Sequence, residues 1–433
     1  MKRIKLLLIL TTFMHITLSA QQDLSLTGAI ARALQNNYDM VIVRNNQDIA
    51  EINNNWGSAG RYPYINFSLG NNNSENVKSG DNSVANQFST GVSLNWTLFD
   101  GYSVRIRKQR FEQLEQLSKQ NTATLVEGTI QSVILAYYNV LLQKEKLDVY
   151  KEVMALSEDR YNRAKQKRDF GAAVTYEVLQ AQNSYLSDRS GYLLQEVAWK
   201  NSLRDLNYLM AEKNFIQYNL TEDFKAVPVD YNLDSLKIRM LSNNKELLNQ
   251  YMNQHLLENA LASAKSDYMP TLDFSGGVTA SDNRTKAGAS NASWADGANF
   301  YGNFTLSMNL YSGGTRNRAL QIAKIDEQIG TVEIDQVKHE LSNSLSNLYE
   351  YYQVRKELLN VADENLAAAK LNLQISKEKF EAGAINSFNY RDVQNIYLDA
   401  AQQKLEAIYN FIDAHTSLLR ITGTIIQEYN QSD

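Results

Sequence analysis

The chain contains no cysteine and only three prolines among its 433 residues. Without cysteine it can form no disulfide, perform no thiol chemistry and carry no lipid on a cysteine near its N-terminus. An interior proline costs a helix about 3 kcal/mol, so the scarcity of proline favours long, uninterrupted helices. The four histidines are isolated from one another in the sequence and have no zinc-ligand spacing. We therefore predict no metal, no cofactor and no catalytic centre.

Positive charge is also scarce. The 43 Lys and Arg residues are outnumbered by 48 Asp and Glu residues, which argues against nucleic acid as a partner. Residues 1–20 open with Lys2, Arg3 and Lys5, continue with an apolar run and end in small residues, as in a secretory signal peptide. Removing this segment takes away three basic residues and no acidic one, so the formal net charge of −5 becomes −8. No later segment has the roughly 20 consecutive apolar residues of a membrane-spanning helix.

The sequence is duplicated. Asn36 and Asn37 recur 207 residues later as Asn243 and Asn244. Farther along the offset is 212, so the motif at 98–101 (Leu-Phe-Asp-Gly) recurs at 310–313 (Leu-Tyr-Ser-Gly). We predict two structural repeats, 21–212 and 232–433, joined by a non-helical linker at 213–231. The change in offset places five extra residues between the strands of the second repeat, where a loop can absorb them.

Each repeat contains two segments in which apolar and small polar residues alternate, which is the period of a β-strand. The predicted strands lie at about 62–70, 88–99, 270–279 and 299–311, with exposed loops at 71–87 and 280–298. One face is apolar and aromatic, whereas the other carries Ser, Thr, Asn and Gly, as in a barrel with lipid outside and water inside. Soluble, half-buried hairpins are the alternative. The residues predicted to face lipid are Phe67, Leu69, Leu94, Trp96, Phe274, Phe304 and Leu306.

Four strands cannot close a barrel, and a bilayer tolerates no open sheet edge. Three copies of the chain supply twelve strands, enough to surround a water-filled lumen, whereas two copies supply eight, which side chains would nearly fill. The predicted fold class is therefore α + transmembrane β-barrel. A homotrimer in outer-membrane lipid would share one 12-strand barrel.

Long helical patterns follow the strands. Residues 102–168 and 315–381 show helical periodicity without proline. About 65 residues at ~1.5 Å each form a rod of roughly 100 Å, which projects beyond any bilayer into an aqueous compartment. Gly171 and Gly383 can end these rods and reverse the chain. Returning helices are predicted at 176–210 and 388–421, and shorter helices at 26–61 and 233–268, with narrow apolar stripes that indicate coiled-coil packing.

Taken in order and twice over, these features resemble the TolC family of outer-membrane efflux channels. The resemblance is carried by Leu26-x-x-Ala29-x-x-x-Ala33-Leu34-x-Asn36-Asn37, by the motifs at 98–101 and 310–313, and by Gly171-x-x-x-x-x-Glu177-Val178-Leu179-x-Ala181-Gln182 with its counterpart at 383–394. It implies a trimer in a Gram-negative outer membrane, with a 12-strand barrel and a coiled-coil helical tunnel that extends into the periplasm. It also implies docking onto a periplasmic adaptor (membrane fusion) protein and an inner-membrane transporter, which supplies the energy.

The resemblance also implies roles for residues at the two periplasmic tips. Counting from Gly383, the family's two acidic ring positions fall on Asn389 and Asp392, so half of the acid is missing. The aromatic gate position falls on Phe380 and the basic partner position on Ile385, which carries no charge for the family's salt-bridged lock. Glu177 occupies the acidic gate position of the first repeat. The residues expected to dock the adaptor are Phe170, Gly171, Ala172, Ala382, Gly383 and Ala384.

The expected function is a passive outer-membrane exit duct of a tripartite efflux or secretion system. A periplasmic coiled-coil adaptor or scaffold protein is the alternative from another class. An enzyme is not expected, since no catalytic constellation or phosphate-binding glycine loop is found. The sequence leaves the cargo open, whether drug, metal ion or protein.

Overall fold

The computed structural model describes residues 22–77, 82–288 and 290–430, so the predicted signal peptide at 1–20 lies outside the described residues. The chain divides into two compact units. The first, here called the tip unit, comprises the described residues of 1–38, 127–235 and 345–433. The second, the sheet unit, comprises those of 39–126 and 236–344. Each unit takes corresponding segments from both sequence repeats.

The helices and strands follow the duplicated order. The sheet unit contains nearly all of α2 (Tyr38–Asn53), β2 (Tyr64–Asn76), β3 (Ser83–Asp100), most of α5 (Leu233–Asn243), α6 (Lys245–Ser266), β5 (Thr271–Ala287) and β6 (Ser293–Ser307). The tip unit contains β1 (Asp23–Leu24), α1 (Leu26–Asn36), α4 (Thr175–Leu209), β4 (Asn219–Leu220), α8 (Ser387–Ile421) and α9 (Ile425–Asn430). The two longest helices, α3 (Ser103–Asp169) and α7 (Thr315–Glu381), begin in the sheet unit and end in the tip unit.

The sheet is antiparallel, with strand order β2-β3-β5-β6. Its register aligns Phe67 with Val92, Trp96 with Phe274, and Phe274 with Phe304. Directly paired residues point to the same face of a sheet. The seven residues predicted to face lipid therefore lie on one face, and the alternation inferred from the sequence has the correct phase.

The prediction of long loops between the strands was wrong. Residues 71–76 belong to β2, 83–87 to β3, 280–287 to β5 and 293–298 to β6. These segments are rich in Asn and Ser, which have low strand propensity, but cross-strand bonds compensate. The Asn86 side-chain amide donates to Asn71 Oδ1 at 3.0 Å and also to Asn73 Oδ1. Such contacts depend on which residues of the two strands are paired, so the sequence pattern of a single strand does not predict them.

At its other end β6 is shorter than predicted, because it stops at Ser307 instead of continuing to about 311. The Arg316 guanidinium donates to the carbonyl oxygens of Asn309 and Asp267. The bond to Asn309 occupies a backbone carbonyl in the segment where β6 was predicted to continue.

The repeated motif at 98–101 and 310–313 is the turn from strand to long helix. Gly101 has φ +65°, and a Cβ there would lie 2.7 Å from the Ser266 carbonyl oxygen. The Asp100 carboxylate accepts the Val104 N–H at 3.1 Å, at the start of α3. In the second copy the Ser312 hydroxyl accepts the corresponding Arg316 N–H at 3.4 Å. The motif therefore supplies a side-chain acceptor for an otherwise unpaired helix N–H group.

The four long helices agree with the sequence prediction to within one residue at each end. The shorter segments were wrongly predicted as single helices, because each breaks at an asparagine, Asn37 or Asn244. The Asn37 side-chain amide donates to the Leu209 carbonyl at 3.0 Å, and Asn244 Oδ1 accepts the Leu247 N–H at 3.0 Å. Asparagine readily exchanges helical hydrogen bonds for such caps.

The linker at 213–231 contains a short strand, β4, that the sequence pattern did not predict; it pairs in parallel with β1. Two tyrosines at equivalent positions of the two repeats donate hydrogen bonds to backbone carbonyl oxygens of β1 and of the linker. Tyr137 donates its hydroxyl to the Leu24 carbonyl at 2.8 Å, and Tyr349 donates to the Tyr231 carbonyl at 3.1 Å. Burial raises the pKa of Tyr137, so its hydroxyl stays protonated as a donor.

Within the described ranges one helix, α3, has an 18-residue window of mean hydropathy 1.3, and 44% of that window is buried. This is weak evidence for a membrane span, because a core helix of a helical bundle has the same composition. The buried residues of this helix include Ile130, Val133 and Tyr137, at helical spacing.

We predict opposite stability changes for a matched pair of substitutions at equivalent helix ends. Ala211 has φ +54°, whereas its repeat counterpart is Gly423, with φ +68°. Both positions make the same pair of backbone bonds after a long helix. Left-handed backbone costs alanine about 1–2 kcal/mol, partly offset by the greater unfolded-state freedom of glycine. Ala211→Gly should therefore stabilise the protein by about 0.5–1 kcal/mol, and Gly423→Ala should destabilise it similarly.

The measurement is the midpoint of thermal unfolding of the two purified variants in detergent. If both variants shifted in the same direction, the backbone explanation would be wrong.

Candidate functional site at the helical tips

The two tips of the tip unit have the same backbone turn. At the end of α3, the Gly171 N–H donates to the Arg168 carbonyl at 2.8 Å and the Ala172 N–H donates to the Lys167 carbonyl at 2.7 Å. At the end of α7, Gly383 and Ala384 make the corresponding bonds, at 3.1 and 2.8 Å. Both glycines have positive φ, +73° and +72°. This is the Schellman arrangement, which ends a helix and reverses the chain at a left-handed residue.

The residues predicted to dock an adaptor lie at these turns and are exposed. Phe170 has 87% of its surface exposed, and no atom lies within 4 Å of a Cβ built at Gly171 or Gly383. Val174, Tyr176 and Phe388 are also more than half exposed. Several exposed apolar side chains at the ends of helices are typical of a surface that another molecule covers.

The predicted gate residues begin the returning helices. Glu177 lies in the first turn of α4, where its charge complements the positive end of the helix dipole. Asn389 and Asp392 lie on the first two turns of α8, and both are exposed. Ile385 is half-buried in the turn before α8. The structure therefore places a carboxylate and a carboxamide, one helical turn apart, at the start of this helix.

Phe380, predicted as a gate aromatic, is buried within the tip. Its ring stacks on Tyr390 with 4.9 Å between ring centroids, and Lys167 Nζ lies 5.6 Å from the Phe380 ring centroid. Burial raises the pKa of Tyr390. The stack joins the end of α7 to the start of α8, and the lysine contributes a cation–π contact from α3.

A buried ion pair, which the sequence analysis missed, holds α8 to α4. The two terminal nitrogens of the Arg391 guanidinium donate to the two oxygens of Asp188, Nη2 to Oδ1 at 2.7 Å. The Asp188 side chain is only 6% exposed. A bidentate, desolvated pair of this kind fixes both the distance and the orientation of the two helices.

A second guanidinium lies beside this pair. Arg160 of α3 is 2% exposed, and its Nη1 donates to the Ser387 carbonyl at 3.2 Å, whereas its Nε and Nη2 have no partner among the described residues. Burial, with a smaller contribution from nearby Arg391, lowers the pKa of Arg160 to about 10. The guanidinium therefore remains charged at neutral pH, in a place where its charge is incompletely compensated.

These three residues share one feature in the sequence. Their repeat counterparts are uncharged: Arg160 corresponds to Asn372, Asp188 to Ala400 and Arg391 to Leu179. Exposed Asp159, whose counterpart is Leu371, shows the same difference, so this feature by itself does not single out the buried cluster. No spacing rule could have shown that Asp188 and Arg391 meet, since they are 203 residues apart.

We predict that the caps of the two returning helices differ in strength. Asn386 Oδ1 accepts the Asn389 N–H at 2.9 Å, whereas its counterpart Val174 makes no side-chain cap. Asn386→Ala should weaken the first turn of α8 by about 1 kcal/mol, and Val174→Asn should strengthen α4 by a similar amount. Local hydrogen exchange should therefore become about fivefold faster at the start of α8 in Asn386→Ala, and about fivefold slower at the start of α4 in Val174→Asn.

Amide hydrogen exchange followed by mass spectrometry measures this locally, and each variant serves as the control for the other tip. Unchanged exchange at the mutated tip in both variants would contradict the assigned capping roles.

Comparison with known proteins identifies the arrangement. Residues 29–212 and 238–424 match the family model described as outer membrane efflux protein. The chain is 21% identical to outer membrane protein TolC of Vibrio cholerae over 345 residues, 78% of this chain and 77% of the relative. It is 22% identical to outer membrane efflux protein BepC of Brucella suis, over 94% of this chain and 87% of the relative.

The fold is also found in solved structures. The CmeC outer membrane channel of Campylobacter jejuni superposes with a TM-score of 0.69 at 16% identity, covering 94% of this chain and 89% of that one. The family match spans both repeats and includes the tips, the sheet and the long helices described above. The chain therefore belongs to the outer membrane efflux protein family, the TolC-like channels of the Gram-negative outer membrane.

Proposed function

We propose that three copies of this chain form a passive exit duct that receives cargo from a periplasmic adaptor and an inner-membrane transporter and releases it outside the cell. The observation that carries the proposal is a four-stranded sheet with an apolar, exposed outer face and two edges that have no partner strand in the described part of the chain. The duct performs transport without catalysing a reaction. Its energy comes from the transporter.

The sheet edges support the trimer. In the described ranges β2 pairs only with β3, and β6 pairs only with β5. Phe67 is 72% exposed and Phe304 is 71% exposed, although both lie on the apolar face. Such a face is stable in hydrocarbon. The two sheet edges are not, because each unpaired backbone group costs several kcal/mol there. Pairing β6 of one copy with β2 of the next satisfies both edges, and three copies close the ring at twelve strands.

The helices of the tip unit support the same assembly. The exposed apolar residues of α7 follow the three-and-four spacing of a coiled coil, as do those of α4 at intervals of seven. Among the described residues both stripes remain about half exposed or more. On α7 the stripe consists of Tyr351, Val354, Leu358 and Val361, and on α4 it includes Leu179, Leu186 and Leu193.

We propose gate and docking roles for the tips within this duct. Three copies of Asp392 on the first turns of α8 would form one carboxylate ring around a shared axis, with Asn389 contributing a neutral ring. The exposed tips around Phe170, Gly171, Ala172, Ala382, Gly383 and Ala384 would meet the adaptor. Their exposure and their position beyond the last helical turns support this role.

The alternative, a periplasmic coiled-coil adaptor or scaffold, is disfavoured by the sheet. A soluble hairpin usually presents charged residues on its exposed face. Here the face with the exposed Phe67, Phe304 and Leu306 is apolar. Fractionation of cells separates the two functions, since a scaffold would be released as a soluble periplasmic protein.

We predict that a charge on the α7 stripe prevents assembly. Leu358→Glu places a carboxylate among apolar side chains that would pack in the trimer, where burial without a partner is costly. Asn360→Glu adds the same charge at an exposed position off the stripe and serves as the control. Mass photometry of the detergent-solubilised protein should show trimers for the wild type and Asn360→Glu, and mainly smaller species for Leu358→Glu. A trimeric Leu358→Glu protein would refute this interface.

We predict that Asp392 contributes to ion selectivity. In planar lipid bilayers, Asp392→Ala should lower the preference for cations over chloride toward unity and weaken block by divalent cations, because a ring of three carboxylates attracts cations. Asn389→Asp adds a second carboxylate ring, so it should raise the preference for cations and strengthen block by divalent cations. Identical reversal potentials and identical divalent block in all three proteins would show that neither residue lines the conducting path.

A further inference from the structure

The first two turns of α8 contact α3 and α4 through two guanidinium groups, that of buried Arg160 and that of half-buried Arg391. Arg391 of α8 reaches the Asp188 carboxylate of α4, and Arg160 of α3 reaches the carbonyl of Ser387, the first residue of α8. The proposed gate residues Asn389 and Asp392 lie on the same two turns. Whatever fixes these turns therefore also fixes the position of the proposed gate.

The charges of this cluster do not balance. Two guanidinium groups share one buried carboxylate, and that carboxylate is already bound by both terminal nitrogens of Arg391. Two further acids of the tip, Asp159 and Glu381, both pair with the more exposed Arg163, at 2.8 and 3.1 Å. Arg160 is therefore left with one backbone acceptor and two donors without a partner.

The two arginines act in opposite directions on the attachment of α8. Separating α8 from α4 breaks a desolvated, bidentate pair, which is unfavourable because it leaves charges with poor compensation. The same movement admits water to Arg160, which is favourable because a buried guanidinium with unmet donors regains its hydration. The attached and detached arrangements consequently differ by much less than the ion pair alone would produce.

We propose that Asp188, Arg391 and Arg160 form a balanced clamp on α8, in which the ion pair holds the gate segment in place and uncompensated Arg160 favours its release. This inference rests on the proposed duct function and assigns positioning residues to its gate. None of the three contacts the conducting path in this account, because all three act through the position of Asn389 and Asp392.

The clamp predicts opposite effects for substitutions at neighbouring charges. Asp188→Asn and Arg391→Gln each remove the ion pair between α4 and α8. Both should therefore lower the unfolding midpoint by several degrees and increase the open fraction of single channels. Arg160→Met retains an unbranched, though shorter, side chain and removes the uncompensated charge. It should raise the midpoint and decrease the open fraction. Arg189→Met removes an exposed charge next to Asp188 and should change neither.

The experiment combines two readouts on the full-length mature protein: thermal unfolding in detergent and single-channel recording in planar bilayers. The clamp is supported if both readouts move in opposite directions for Asp188→Asn and Arg160→Met. It is overturned if Arg160→Met destabilises the protein, or if the midpoints shift while the open fractions stay the same, because the cluster would then be purely structural. A wild-type trimer that does not conduct at all would refute the duct function itself, whatever the midpoints.

Discussion

The need to pair every backbone group in hydrocarbon constrains this structure more than any other interaction. One chain contributes four antiparallel strands with an apolar outer face and two edges that have no partner strand among the described residues. The apolar face suits hydrocarbon, but the unpaired edges are incompatible with a monomer in a membrane, because lipid supplies no hydrogen bonds. Oligomerisation is therefore a condition of the fold, and the uncovered apolar stripes of α4 and α7 provide contacts of the kind an assembly requires.

Duplication explains much of the architecture, and divergence between the copies explains its local differences. Both copies use the same tip turn and the same strand-to-helix motif. They differ where one side chain performs a task that its counterpart cannot perform. Asn386 caps α8 whereas Val174 leaves α4 uncapped, and Gly423 adopts the left-handed conformation without the strain of Ala211. Each difference concerns a single residue, so the common backbone is preserved while the stability of individual turns changes.

At the tips, the two copies differ in their charged residues. Two of the positions that resemblance assigns to charged gate residues are occupied by Asn389 and Ile385, which removes the charges for an ionic lock of the usual pattern. The structure instead has a buried pair between Asp188 and Arg391, close to Arg160. A buried charge pair is a weak source of net stability but a strong geometric constraint, because its partners lose much if they separate. This makes it suited to defining the position of a helix end.

The amino-acid sequence by itself determined the duplicated order, the bounds of the four long helices and the phase of the strands. These depend on local periodicity, on glycine at the tips and on the scarcity of proline, all of which a single segment contains. Tertiary structure alone decided the length of the hairpins, the contact that Asn37 makes at its break, and the pairing of Asp188 with Arg391. Each of these depends on a hydrogen-bond partner contributed by another segment, as when Asn86 binds Asn71 across two strands, whereas the cap at Asn244 is local. Local propensity carries no information about such partners, which meet only once the chain has folded.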